Sequence, residues 1–158
     1  MADLKENEAL INRFYEAFAR QDADTMNACY GDNIVFEDPA FGRLNADEPK
    51  AMWSMLVERA GSNLNITHKV TEVTHGGAKA EWEAIYPFSQ TGRKVHNRIS
   101  AEFIIEEGKI VYHKDRFDLW KWAGMALGTP GKLLGWTGFM KKKIRQMALA
   151  SLKKYMSR

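Results

Sequence analysis

The chain has 158 residues, 45% of them hydrophobic and 27% charged, with a net charge of +3. That balance suits one soluble globular domain and excludes a disordered or fibrous chain. Its single cysteine, Cys29, excludes an intrachain disulfide. No apolar run reaches the roughly 18 residues of a membrane span. The charged start, MADLKENEALIN, lacks the layout of a signal peptide, so a cytoplasmic protein is expected. The net charge hides an asymmetry. Residues 1–118 carry 14 Lys/Arg and all 20 Asp/Glu, a net −6, whereas residues 119–158 carry 9 Lys/Arg and no acid, a net +9.

Leu10, Ile11, Phe14, Ala17 and Phe18 form the stripe of an amphipathic helix over residues 4–20. A short helix is expected from Asp22 to Tyr30, ended by Gly31, and a short strand at 34–36, stopped at Asp38-Pro39. Asp47 and Pro49 open a further helix, which carries Met52, Trp53, Leu56 and Val57 on one face and ends at Gly61. Strands follow at 64–74, 78–89, 94–105 and 109–119. Gly76-Gly77 turns the first hairpin, Gly92 the second, and Glu106-Glu107-Gly108 the third, with a bulge. Helices followed by an antiparallel meander predict an α+β fold. Residues 1–119 read as one domain and 120–158 as a basic helical extension, with two helices broken at Thr129-Pro130-Gly131.

Strand alternation sorts side chains between faces. Ala80, Trp82, Ala84, Tyr86 and Phe88 share the core face of one strand, and Asn97, Ile99, Ala101, Phe103 and Ile105 that of the next. Val111, His113, Asp115, Phe117 and Leu119 face the core from the last strand. A three-residue turn would set Asp115 opposite Ile99 and His113 opposite Ala101. Asn97, His113 and Asp115 are thus polar groups on apolar faces. Burying a carboxylate there costs several kcal/mol unless it is paired, so Asp115 marks either a site or a satisfied structural group.

Two runs carry a family resemblance. Asp22-Ala-Asp-Thr-Met and Asp32-Asn-Ile-Val-Phe-Glu-Asp-Pro resemble the N-terminal half of ketosteroid isomerases. Gly108-Lys-Ile-Val-Tyr-His-Lys-Asp-Arg-Phe-Asp-Leu resembles the last strand of limonene-epoxide hydrolases and SnoaL-like polyketide cyclases. Together these cover residues 8–120 of the nuclear-transport-factor-2-like superfamily. The resemblance implies a cone-shaped barrel, in which a strongly bent antiparallel sheet wraps the N-terminal helices around a deep apolar pocket. It also implies a homodimer.

Residue by residue, the resemblance makes Asp38 the isomerase base and Asp115 an acid/base aspartate of cyclases and epoxide hydrolases. The isomerase oxyanion donors fall on Phe14 and on Ser100 or Ala101, so that machinery is incomplete. The arginine and second aspartate of the epoxide hydrolases fall on Trp82 and Ala84, and their tyrosine and asparagine on Phe36 and Asp38. The candidate catalytic set is Asp115, Asp38 and His113, with His113 tuning Asp115. The candidate ligand contacts are Trp82, Tyr86, Asn97, Ile99, Phe117, Tyr15 and Trp53.

No metal or cofactor is expected, because the four histidines lack ligand spacing. Two functions stand open: acid/base chemistry of isomerase, cyclase or hydrolase type on a small apolar substrate, or non-catalytic binding of such a ligand. Three roles stand open for the extension. It folds over the pocket mouth or a dimer face, burying Trp120, Trp122, Leu133, Leu134 and Trp136. It rests on an anionic membrane surface through residues 132–158. Or it contacts nucleic acid or an acidic partner, which the thin interleaving of aromatics among its lysines ranks last.

Overall fold

The computed structural model describes residues 3–158. Helix α1 (Leu4–Ala19) begins at Asp3, whose carboxylate accepts the Lys5 N–H, and buries the predicted stripe from Leu10 to Phe18. Asn7 is buried on the same helix. Its amide donates to the carbonyls of Thr74 at 2.9 Å and His75 at 3.2 Å, which pins α1 to the first hairpin turn. Helix α2 (Ala23–Ala28) is shorter than expected: Cys29 caps it, and Tyr30 and Gly31 open strand β1 (Tyr30–Asp38). Strand β2 (Gly42–Leu44) folds back on β1. Helix α3 (Glu48–Ala60) carries Pro49 in its first turn and buries Met52, Trp53, Met55 and Val57. Met55 takes the buried place expected of Leu56, which is only half-buried.

The meander follows as expected: β3 (Asn65–Thr74), β4 (Gly77–Pro87), β5 (Lys94–Glu106) and β6 (Lys109–Arg116). Gly77 has to be glycine, because a Cβ there would lie 2.2 Å from the Phe103 carbonyl oxygen. The predicted register is corrected. Asp115 pairs with Ala101 and His113 with Phe103, since the β5–β6 register shifts at Ile104/Ile105. A shift of two residues preserves side-chain parity, so both residues still face inward.

The expected barrel is also corrected. Six strands lie in the order β2-β1-β6-β5-β4-β3, with β2 and β3 as separate edges, so the sheet is open and not strongly curled. Nor is it antiparallel throughout, because β1 lies parallel to β6, with Phe36 beside His113 and Glu37 beside Lys114. Three apolar residues at 34–36 reveal a strand but not its partner; the long connection through α3 and the meander decides that.

The core lies between the inner sheet face and α1 and α3. At its centre Phe14 packs against Tyr15, Tyr30, Trp53, Phe103 and His113, with ring centroids 5.3–6.4 Å apart.

Residues beyond β6 form three helices, not two: α4 (Leu119–Leu127), α5 (Thr129–Leu134) and α6 (Gly138–Met156). The break falls at Gly128, with φ +75°, and Pro130 sits in the first turn of α5, where its missing N–H costs nothing. Helix α4 packs on β5, and α6 lies along α3. The expected burial of the aromatic and leucine residues is largely overturned: Trp122 is buried, but Trp120, Leu133, Leu134 and Trp136 are exposed. Helices α4 and α5 touch at Gly131, where a Cβ would sit 1.9 Å from the Ala123 carbonyl oxygen. That neighbour is backbone and cannot rotate away. Gly131→Ala is therefore expected to lower unfolding stability by about 2 kcal/mol, as measured by urea denaturation.

Candidate active site

A cavity of about 180 Å³ opens between the inner sheet face, α3 and α6. Asp38, Trp53, Trp82, Tyr86, Asn97, Ile99, Asp115 and Phe117 line it. Two of the predicted residues do not. His113 is fully buried behind Asp115, and Tyr15 is buried among Phe14, His68 and Trp82, its hydroxyl without a hydrogen-bond partner among the described residues. The extension closes the far side with Ile144, Met147, Ala148 and Ser151 of α6 and with Trp122 of α4. The Trp122 indole donates to the Tyr86 hydroxyl at 2.9 Å and its ring meets Phe88 edge-on, so α4 is fastened to the cavity wall.

Asp115 is held by side chains rather than by backbone. His113 Nε2 lies 2.8 Å from Asp115 Oδ1, and the Trp82 indole N–H donates to the same oxygen at 3.3 Å. On its other side, His113 Nδ1 lies 2.7 Å from the Tyr30 hydroxyl, which accepts the Trp53 indole N–H at 2.7 Å. Donor counting assigns the protons. Trp53 can only donate to Tyr30, so the Tyr30 O–H is free to donate to His113 Nδ1, and the tautomer that accepts it donates from Nε2 to Asp115. Every polar atom along this path is then satisfied, and the network fixes where the Asp115 carboxylate points. Tyr30→Phe would leave Trp53 Nε1 and His113 Nδ1 buried without partners. It is expected to cost about 2 kcal/mol in a urea unfolding titration.

Asp38 reaches the same cavity from β1. Asp38 and Asp115 both line this cavity and the depression beside it, close enough for the charge of Asp115 to act on the Asp38 carboxyl. Two carboxylates therefore share one apolar wall. The Asp38 carboxyl accepts the Phe41 backbone N–H at 2.6 Å. Burial nevertheless outweighs this bond and, with the negative charge of Asp115 adding to it, pushes the Asp38 carboxyl up to about 7; the backbone N–H of Ala40 and the Arg145 guanidinium oppose the rise. The nearby Asp38 charge also adds to the burial that pushes the Tyr86 phenol up.

Arg145 is not among the residues that the sequence pattern singles out. It comes from α6, donates to the Pro39 carbonyl at 3.3 Å, and packs on Gly42, where no Cβ stands in its way. With Asp38 and Asp115 it lines a shallow depression outside the cavity. Nothing in its local spacing could have found it, because the contact joins residues more than a hundred positions apart. Tyr30 was within reach: even parity with Ile34 and Phe36 points it at the core.

An open α+β sheet carrying an apolar cavity, with two carboxylates in its lining, is an architecture consistent with small-molecule binding. The SnoaL-like domain model matches residues 11–113, more than half of the chain, and the protein belongs to that family. Epoxide hydrolase EphG of Mycobacterium tuberculosis (strain ATCC 25618 / H37Rv) is 24% identical over 110 residues, covering 70% of this chain and 72% of that protein. The structure of an M. tuberculosis LEH-like epoxide hydrolase superposes with a TM-score of 0.60 at 19% identity, over 85% of this chain and 99% of that one. Bal32a, from a soil-derived mobile gene cassette, superposes with a TM-score of 0.67 at 16% identity, over 77% of this chain and 97% of that one. At these identities the structural likeness speaks for the fold.

Proposed function

We propose that the protein is an acid/base enzyme acting on a small apolar substrate, and that the opening of an epoxide by water is the reaction its site fits. The observation that carries this reading is the pair Asp38 and Asp115 on one wall of an apolar cavity. Asp38, raised to about 7, keeps its proton near neutral pH and is the acid. Asp115, which receives two N–H donors on Oδ1, is the base. In the reaction, Asp115 takes a proton from water as the water oxygen attacks a ring carbon. The carbon–oxygen bond of the ring breaks, and Asp38 gives its proton to the departing oxygen, so a diol forms. Asp115 then holds the proton that Asp38 lacks, and the two adjacent carboxyls exchange it to restore the resting state.

The likeness to epoxide hydrolases supports this reading. The departures from their pattern at Trp82 and Ala84 make it a different arrangement of donors: an indole N–H, not an arginine, holds Asp115. Size narrows the substrate, since a cavity of about 150 Å³ takes up benzene and this one measures about 180 Å³. Small monocyclic epoxides fit that space.

The test is incubation of the protein with styrene oxide and cyclohexene oxide, with diol formation followed by gas chromatography. Diol formed faster than in buffer, and lost in Asp115→Asn, is the expected result. If wild type and Asp115→Asn are equally stabilised by a non-reactive analogue in a thermal shift and neither forms diol, the cavity is a binding site only.

A further inference from the structure

The helical extension carries an apolar surface that the fold leaves uncovered. Leu133 is 66% exposed, Trp136 59% and Phe139 71%, all within the seven residues that run from the end of α5 into the start of α6. These side chains are held out by structure. Thr137 caps both neighbouring helices, its hydroxyl donating to the Leu134 carbonyl at 2.6 Å and accepting the Met140 N–H at 3.1 Å. The Trp136 indole N–H is already spent on the Leu133 carbonyl at 3.0 Å. The ring therefore presents only apolar surface to whatever lies outside.

The extension that carries this prong has charge of one sign, and Asp118 is the acid that lies beside it. Residues 119–158 contain no acid and nine Lys/Arg, with Lys141, Lys142 and Lys143 exposed on the first turn of α6 beside Phe139. A second feature of net positive charge adjoins it: a surface depression where Arg93, Lys94, Lys121 and Lys132 outnumber the single acid Asp118, with Trp120 at its side. Trp120 is positioned there by its indole N–H, which donates to the Lys132 carbonyl at 2.9 Å.

From this arrangement we infer that the α4–α6 extension docks on an anionic phospholipid bilayer, inserting Leu133, Trp136 and Phe139 while the lysines and the basic depression take the headgroup phosphates. An aromatic and leucine prong ringed by lysines matches the apolar-below, phosphate-above layering of a membrane interface. A second copy of the chain matches it badly, since like faces would bring the exposed lysines of one copy against those of the other. Nucleic acid offers phosphate but no apolar layer for three large exposed side chains. No described helix is long and apolar enough to cross a membrane, so the contact is interfacial. The inference is independent of the proposed chemistry and is tested without an activity assay.

The experiment is co-sedimentation of the 158-residue chain with vesicles of phosphatidylcholine alone or doped with phosphatidylserine. Binding to the doped vesicles is expected to be about tenfold tighter or more at low salt, and to weaken steeply as salt is raised. The triple substitution Lys141→Glu, Lys142→Glu, Lys143→Glu is expected to abolish it. The double substitution Trp136→Ser, Phe139→Ser is expected to weaken it several-fold with an unchanged circular dichroism spectrum. No pelleting with phosphatidylserine at low salt would overturn the inference. So would equal binding to both vesicles, a dimer in sedimentation velocity that Phe139→Ser dissociates, or duplex DNA bound more tightly than the anionic vesicles.

Discussion

Asp115→Asn is expected to lower kcat for epoxide opening about 10³-fold while leaving KM nearly unchanged. The substitution keeps size and shape, and its carbonyl oxygen still accepts from His113 and Trp82, which now hold Asp115 Oδ1 at 2.8 and 3.3 Å. What is lost is the ability to take a proton from water. Because a substrate touches the whole cavity wall and not this atom alone, binding should survive. Initial rates of diol formation over a range of substrate concentrations separate the two constants. A fall of less than tenfold would remove Asp115 from the chemistry and return it to a structural role.

Turnover is also expected to decline as the pH rises through about 7, because that is where the Asp38 acid loses its proton. The same group makes a prediction about stability, with the sign set by linkage. In the unfolded chain an aspartic acid titrates near its model value of 3.8, while in the fold Asp38 holds its proton up to about 7. Between these values the native state binds the extra proton, so unfolding releases it and stability falls as pH rises. Below the lower value both states are protonated and no cost appears; above the upper value the cost is fully present. Asp38→Asn, whose amide oxygen still accepts the Phe41 N–H, removes that dependence. Urea unfolding at pH 5 and pH 8 is therefore expected to show wild type losing stability at the higher pH relative to Asp38→Asn. A matching loss in both proteins would mean that Asp38 is ionised in the fold at pH 5. The rate profile of Asp38→Asn should in turn lack the decline near 7 and start from a lower plateau.

How far these residues could be found in advance depends on the range of the signal. Asp115, His113 and Asn97 stood out from alternation alone, since a polar side chain on an apolar strand face is visible within ten residues of sequence. That signal was blind to depth. It could not tell that Asp115 borders the cavity while His113 lies a layer behind, relaying the orientation imposed by Tyr30 and Trp53. Trp82 and Tyr86 were legible as cavity-lining aromatics, but the Trp82 N–H is spent on Asp115, whereas the Tyr86 hydroxyl accepts the Trp122 N–H and keeps its own proton to donate. Tyr15 was misplaced for a related reason. A helix stripe reports burial, and burial among Phe14, His68 and Trp82 satisfies it as well as a cavity would.

The sequence by itself determined the α+β order of elements, the hairpins, the inward parity of Asp115, and a C-terminal segment of one charge sign, because each of these is a local or periodic property of the chain. Tertiary structure alone decided that the sheet is open and mixed, for strand partnership across α3 has no short-range signature. It alone brought Asp38 and Asp115 to one cavity, since the parallel packing of β1 on β6 joins segments far apart in the chain. It also divided the extension in two, with Trp122 and Ile144 turned inward on the cavity and Trp136 and Phe139 turned outward. An amphipathic pattern names the apolar residues, but packing settles which of them the fold itself can cover.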